Sequence, residues 1–196
     1  MQVKVRSLSL SLLLIAGGFM LCVSTAFAQA KSEEKTVVTA ERSKAVKETE
    51  SAWKRAKKWT LDYVDAMPED AVGFKPTPEV RSFAEQMLHL AFWNYGLAQT
   101  ITGKPNPYGK EQDNLEKKTE FKSKAALRKV VEQSYDFVIE GLAGLDNAKL
   151  LEEVNFFNSK MTRMSILGIA LDHQTHHRGQ TTVYLRLKGV TPPPEP

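Results

Sequence analysis

The residues with the clearest chemical potential lie near the end of the chain, in "LDHQTHHRGQ", Leu171 to Gln180. Three of the protein's four histidines, His173, His176 and His177, fall within five positions there. Imidazole is the commonest metal ligand and the side chain that most readily moves protons near neutral pH. Three readings are therefore open: a metal site, a proton shuttle, or a helix surface that carries imidazoles.

Periodicity separates the three. Ile166, Ala170, His173, His177, Gln180, Tyr184 and Leu187 recur at alternating steps of four and three, the seam of a packed helix. His173 and His177 thus point inward together, at a spacing that puts their Cβ atoms about 5–6 Å apart and lets both converge on one cation. His176 lies about 100° round the helix from His177, facing a helix edge or solvent. Two inward histidines without an ion would each need a buried hydrogen-bond partner.

The remaining histidine is His89, in "EQMLHLAFWN". A lone histidine on an apolar helix is ordinarily structural, but His89, His173 and His177 together would make a three-nitrogen site with open positions for water or substrate. Glu85, one turn before His89, and Gln180, one turn past His177, are the candidate catalytic groups. Glu85 is the candidate base and Gln180 would hydrogen-bond a metal-bound water. Glu85 also has a structural reading, as part of a helix cap. Trp93 and Tyr184 read as pocket lining or core, and Arg178 and Asp172 as packing or ion-pair residues off the seam.

These residues need elements to position them. The first 28 residues, "MQVKVRSLSLSLLLIAGGFMLCVSTAFA", have a basic start, an apolar run and small residues at Ala26 and Ala28. That pattern predicts a secretory signal cleaved after Ala28, and so a periplasmic or secreted protein without a stable membrane span after cleavage. Residues 29–42 read as a flexible leader. Cleavage at that site removes Lys4, Arg6 and Cys22, so the 27 basic residues fall to 25 against 23 acidic ones. A net charge of +2 is no signature of nucleic-acid binding, and the basic face "WKRAKKW" reads as a solvated helix face. Without cysteine, any metal ligand must be histidine or carboxylate.

From residue 43 onward four helical patterns follow. The first carries Val46, Thr49, Trp53, Ala56, Thr60, Tyr63 and Met67 and ends at Pro68. The second opens on a capping box, Ser82 with Glu85, and stops at Gly103. Residues 103–122, rich in Pro, Gly and charge, read as a long loop. The third runs from near Ser123 to Gly144, and the fourth from about Thr162 to Lys188, stopped by Gly189 and "TPPPEP". No alternating strand pattern of useful length stands out, and Phe156 and Phe157 are candidate plugs for one end of the core.

Four helices of about 20 residues make rods of about 30 Å, which is an all-α four-helix bundle. Helical rise then bears on the site. If helices two and four are antiparallel, His89 lies about 20 Å from the end where helix four starts, close to the ~17–22 Å of His173 and His177. A long crossover between helices two and three, through residues 103–122, permits that arrangement.

The segments "DHQTHHRGQ", "LRLKGVTPPP" and "FAEQMLHLAFWN" resemble the DinB-like (YfiT-type) family of metal-dependent four-helix proteins, over nearly the whole chain from about residue 44. The resemblance implies an up-down-down-up bundle holding nickel, zinc or iron on three histidines, which correspond here to His89, His173 and His177. Relatives include thiol transferases, thiol-dependent isomerases and presumed hydrolases, so the expectation is a hydrolase or group transferase acting on a small molecule. A signal peptide departs from the cytosolic members and argues against a low-molecular-weight thiol partner. The alternatives are a non-catalytic metal or ligand carrier of the cell envelope, and a metal-free bundle with packed histidines. A homodimer is compatible with either.

Overall fold

The structure, a computed structural model, describes residues 44–110, 113–121, 123–145 and 147–195. The expected signal segment, 1–28, and leader, 29–42, lie outside the described residues. Four helices dominate: α1 over residues 44–66, α2 Phe83–Thr102, α3 Lys124–Ala143 and α4 Arg163–Leu187. Among the described residues no helix is long and apolar enough to cross a membrane.

Local chemistry sets the helix ends. Ser82 and Glu85 form both halves of the capping box that opens α2, which satisfies two amide groups the first turn leaves unpaired. Gly103 ends that helix at φ 76°, a left-handed conformation that glycine adopts without a Cβ clash. The side chains of Ser123 and Thr162 cap α3 and α4 in the same manner.

Cross-helix contacts show the directions. Lys57 of α1 bonds Asp136 of α3 at 2.8 Å while Arg128 of α3 bonds Asp65 of α1 at 2.9 Å, so these two run antiparallel. Asn94 donates to Ser134 at 3.1 Å and Lys104 to Glu140 at 2.7 Å, so α2 and α3 are parallel. Gln86 meets His177 near one end, and Arg163 donates to the carbonyls of Thr100 and Ile101 near the other, so α2 and α4 are antiparallel. Arg178 with Thr60 and Tyr63 with Thr182 make α1 and α4 parallel. The bundle is up-down-down-up, as the family resemblance implies, and the antiparallel α2 and α4 agree with the height of the histidines. Where α2 and α3 end together the backbones are close: a Cβ added at Gly141 would lie 2.6 Å from Thr102 Cγ2.

The apolar core runs the length of the bundle through Trp53, Met87, Leu90, Tyr135 and Ile166, each fully buried. The basic face of α1 is partly paired, with Lys57 on Glu132 and Asp136 and Lys58 on Asp62. The α4 seam holds as far as Tyr184, but Leu187 is 57% exposed and Leu185 takes the buried place. A straight helix turns every 3.6 residues, so a strict seven-residue repeat drifts off the interface by its last turn.

Two further expectations are corrected, the absence of strands and Phe157 as a plug for the core. Glu153–Phe156 (β1) and Ser159–Thr162 (β2) form an antiparallel hairpin ahead of α4, with Glu153 opposite Thr162 and Phe156 opposite Ser159. Strands of four residues are too short for alternation to show, and the turn uses Phe157 at φ 49° where Gly or Asn would have signalled it. Phe156 packs on the core as expected, but Phe157 is 75% exposed at the hairpin tip. The crossover, moreover, is not structureless. It holds short 3-10 turns at Leu115–Lys117 and Thr119–Phe121, with Leu115 fully buried.

Candidate metal centre

The antiparallel pairing of α2 and α4 brings His89, one turn past the capping box, level with His173 and His177. Ring centroids are 4.5 Å apart for His89 with His177, 4.5 Å for His173 with His177, and 5.3 Å for His89 with His173. Each offers one nitrogen such that all three lie within 4.8 Å of one another.

The other ring nitrogens explain why. His177 Nδ1 lies 2.8 Å from Gln86 Oε1, and the Gln86 amide in turn donates to the Tyr184 hydroxyl at 3.4 Å. His89 Nδ1 lies 2.6 Å from Glu116 Oε1, while Arg81 Nε donates to Glu116 Oε2 at 2.6 Å. Both acceptors require the proton on Nδ1, leaving the Nε2 lone pair of each ring as the ligand. His173 Nδ1 is buried and has no hydrogen-bond partner among the described residues.

Electrostatics favour neutral imidazoles. Burial first, and then the neighbouring imidazole rings, push His173 down to about 4 and His177 down to about 3. Burial raises Glu116, but its hydrogen bonds to His89 and Arg81 outweigh that and hold it below the ordinary carboxylate value. A half-buried set of three imidazole nitrogens, one ring carrying an orphaned buried atom, fits a borderline divalent cation such as zinc, nickel or iron. Three ligands on such an ion leave positions for water or substrate.

The other candidates fall outside this cluster. His176 is exposed, and its Nε2 lies 2.9 Å from Gln180 Nε2. Gln180 therefore spends its amide on His176, although its Oε1 is buried with no partner among the described residues. Glu85 accepts from the Ser82 amide at 2.8 Å and pairs with Lys75 at 3.0 Å. Trp93 lines the cluster, with its ring 5.7 Å from His173 and 6.3 Å from His89. Tyr184 is buried core and bonds the Arg81 carbonyl at 2.6 Å. Arg178 is buried off the cluster, and Asp172 is exposed. A polar cleft of about 760 Å³ opens beside His177, lined by Lys75, Arg81, Gln86, Glu116 and Gln180 among others.

Sequence reasoning passed over Gln86 and Glu116. Gln86 sits three residues before His89 on the same helix face, so the i, i+3 rule could have found it. Glu116 lies 27 positions from His89 in a charged loop, where the only cue is a lone leucine, Leu115, after a capping Asn114.

The DinB family model matches residues 27–195. YjoA of Bacillus subtilis strain 168 is 24% identical over 133 residues, covering 67% of this chain and 83% of that protein. A DinB-like protein from Bacillus cereus ATCC 10987 superposes with a TM-score of 0.63 at 20% identity, over 74% of this chain and 94% of the other. The YjoA crystal structure gives 0.60 at 22% identity, over 76% and 96%. A conserved protein from Enterococcus faecalis gives 0.57 at 16% identity, over 72% and 95%. At these identities the structural likenesses speak for the fold.

Proposed function

The chain belongs to the DinB family, and from that premise we propose that it holds one divalent cation on His89, His173 and His177 and acts on a polar small molecule by hydrolysis or group transfer. The observation that carries the reading is the convergence of three ring nitrogens within 4.8 Å, with two of the rings oriented by Gln86 and Glu116. When bound, such a cation supplies Lewis acidity and lowers the pKa of a coordinated water. The chain's own residues do the rest. Gln86 and Glu116 hold the Nδ1 protons of their histidines, Trp93 shields the His89 and His173 rings, and the polar cleft beside His177 receives the substrate.

Metal analysis of protein purified without an affinity tag tests the site. About one equivalent is expected in the wild type and little in His173→Ala; equally negligible metal in both would remove the site. Screening the loaded protein against ester, amide and thiol-transfer substrates tests the reaction.

One observation favours a second reading, a non-catalytic carrier of metal or ligand. Glu85 is committed to a helix cap and Lys75, and Gln180 to His176, so neither is a ready proton-transfer group. A loaded protein that binds small molecules in the cleft yet turns over none of those substrates would support it.

We further propose export to the periplasm or medium. The family match begins at residue 27, beside the expected cleavage after Ala28. Intact mass of protein recovered from an exporting host should correspond to a chain starting at Gln29; a full-length mass would refute this.

A further inference from the structure

Histidine has two ring nitrogens, and the partner of one decides which is left for a ligand. The two oriented histidines of the cluster draw their partners from different places. Gln86, which orients His177, stands on α2, one of the four bundle helices. Glu116, which orients His89, comes instead from the crossover between α2 and α3. It is also the one charged residue among the hydrogen-bond partners of His89, His173 and His177 within the described residues.

We propose that Glu116 is a positioning residue through which cation binding at the three histidines and docking of the crossover on the bundle reinforce each other. This rests on the metal-holding reading given above. The carboxylate is held from both sides, with Oε1 on His89 Nδ1 and Oε2 on Arg81 Nε, each at 2.6 Å. Arg81 is fixed in turn, because its carbonyl accepts from Tyr184 and the next residue caps α2. On the crossover side, Leu115 is buried without exposure beside Glu116, and Asn114 Oδ1 accepts from the Glu116 amide at 3.0 Å. The segment thus has an apolar anchor, a capped turn and a carboxylate that reaches one ligand.

A cation on His89 Nε2 withdraws electron density from the ring and makes Nδ1–H a stronger donor, so the bond to Glu116 strengthens when metal is present. The negative charge of Glu116 also offsets positive charge brought among neutral ligands, which the amide of Gln86 cannot do. Coupling of this kind is reciprocal: whatever holds Glu116 in place raises cation affinity by the factor with which the cation holds the crossover.

The test uses the full chain stripped by a chelator, with zinc(II) alone as the probe. Zinc affinity is measured by competition with a chromophoric chelator for the wild type, Glu116→Gln and Glu116→Ala. Glu116→Ala is expected to bind about 10–100-fold more weakly, the usual effect of losing the residue behind a ligand. Glu116→Gln, which keeps an acceptor oxygen without the charge, should fall between.

Hydrogen exchange supplies a second readout, one that a merely structural role would not link to metal. The amides of Glu116, Lys117 and Lys118, each bonded within the crossover, should exchange more slowly on adding zinc to the wild type. If Glu116→Ala fails to fold, the wild-type exchange carries the test alone. Equal zinc affinity in wild type and Glu116→Ala, or wild-type exchange indifferent to zinc, overturns the coupling and leaves the metal reading standing. A wild type that binds no zinc overturns both.

Discussion

Helix α4 carries two inward-facing polar stripes side by side, one buried and one half-buried, and they differ in how their groups are satisfied. One stripe is Gln174, Arg178 and Thr181, all at most 2% exposed. Gln174 Oε1 accepts from the Tyr135 hydroxyl and from Arg178, both at 2.7 Å. Arg178 reaches the Glu195 carboxylate at 2.8 and 3.1 Å, and Thr181 donates to the Arg178 carbonyl. Tyr135 closes the network on Thr60. The other stripe holds His173 and His177, where His173 Nδ1 has no partner among the described residues and free ring nitrogens converge. An unpaired buried polar group costs about 1–3 kcal/mol, so a fold that keeps one needs a reason beyond packing. The paired stripe holds the bundle together; the other contributes two of the three histidines that could hold a metal ion.

The contrast breaks if the stripes respond alike to substitution. Arg178→Ala should give the largest effect, a loss of about 3 kcal/mol in stability, at the low end for a buried ion pair because Glu195 can rehydrate. Urea denaturation of the metal-free protein measures it, and zinc affinity per folded molecule should not change. Arg178→Met should lose less, since an apolar stem can still pack against Trp59, whose ring lies 5.5 Å from the guanidinium. A large fall in zinc affinity with little loss of stability would mean that the stripes have been assigned the wrong way round.

His173→Ala is the reverse case. No hydrogen bond to its Nδ1 is lost, so metal-free stability should change by less than about 1 kcal/mol, with relief from desolvating the ring offsetting lost contacts. Zinc affinity should drop more than about 100-fold, beyond what losing a residue behind a ligand costs. Competition titration and urea melts on the same two samples separate these outcomes.

Acid should act on the same stripe with a smaller effect. In the unfolded chain histidine titrates near 6.5, whereas folded His173 and His177 resist protonation until about 4 and about 3. Below pH 6.5 the unfolded state therefore binds more protons, and stability falls as pH drops through the window down to about 4. Each ring contributes less than about 1.4 kcal/mol per pH unit, because both are partly screened by solvent. Thermal melts of chelator-treated protein between pH 7 and 4 should show the decline, shallower in His173→Ala. An unchanged slope would mean that the ring is not desolvated.

Much of this was legible in the sequence because the signals are local. The capping box at Ser82 and Glu85 and the stop at Gly103 need only a few residues each. The direction of α4 against α2 followed from helical rise once His89, His173 and His177 were taken to meet at one level. What escaped depends on contacts distant in sequence or on elements too short to repeat. Nothing near Glu116 announces that it will meet His89, and the hairpin is shorter than a readable alternation. Arg178 reads as a packing or ion-pair residue off the seam, and it is one, but nothing local names its partner Glu195 in the tail or the link through Gln174 to Tyr135 on α3.

The smallest predicted effect is the most selective. His176 lies on the side of the histidine stripe away from Gln174 and Arg178, one residue from a proposed ligand, with its ring 5.0 Å from His177. Proximity alone would make it a ligand; the helical phase that turns His173 and His177 inward turns it out, and it is exposed, with Gln180 as its one hydrogen-bond partner among the described residues. His176→Ala should leave zinc affinity within about 3-fold and stability within about 0.5 kcal/mol, the ordinary range for a surface change. A fall comparable with that of His173→Ala would bring His176 into the coordination set, and would require α4 to be turned by about 100° at this point.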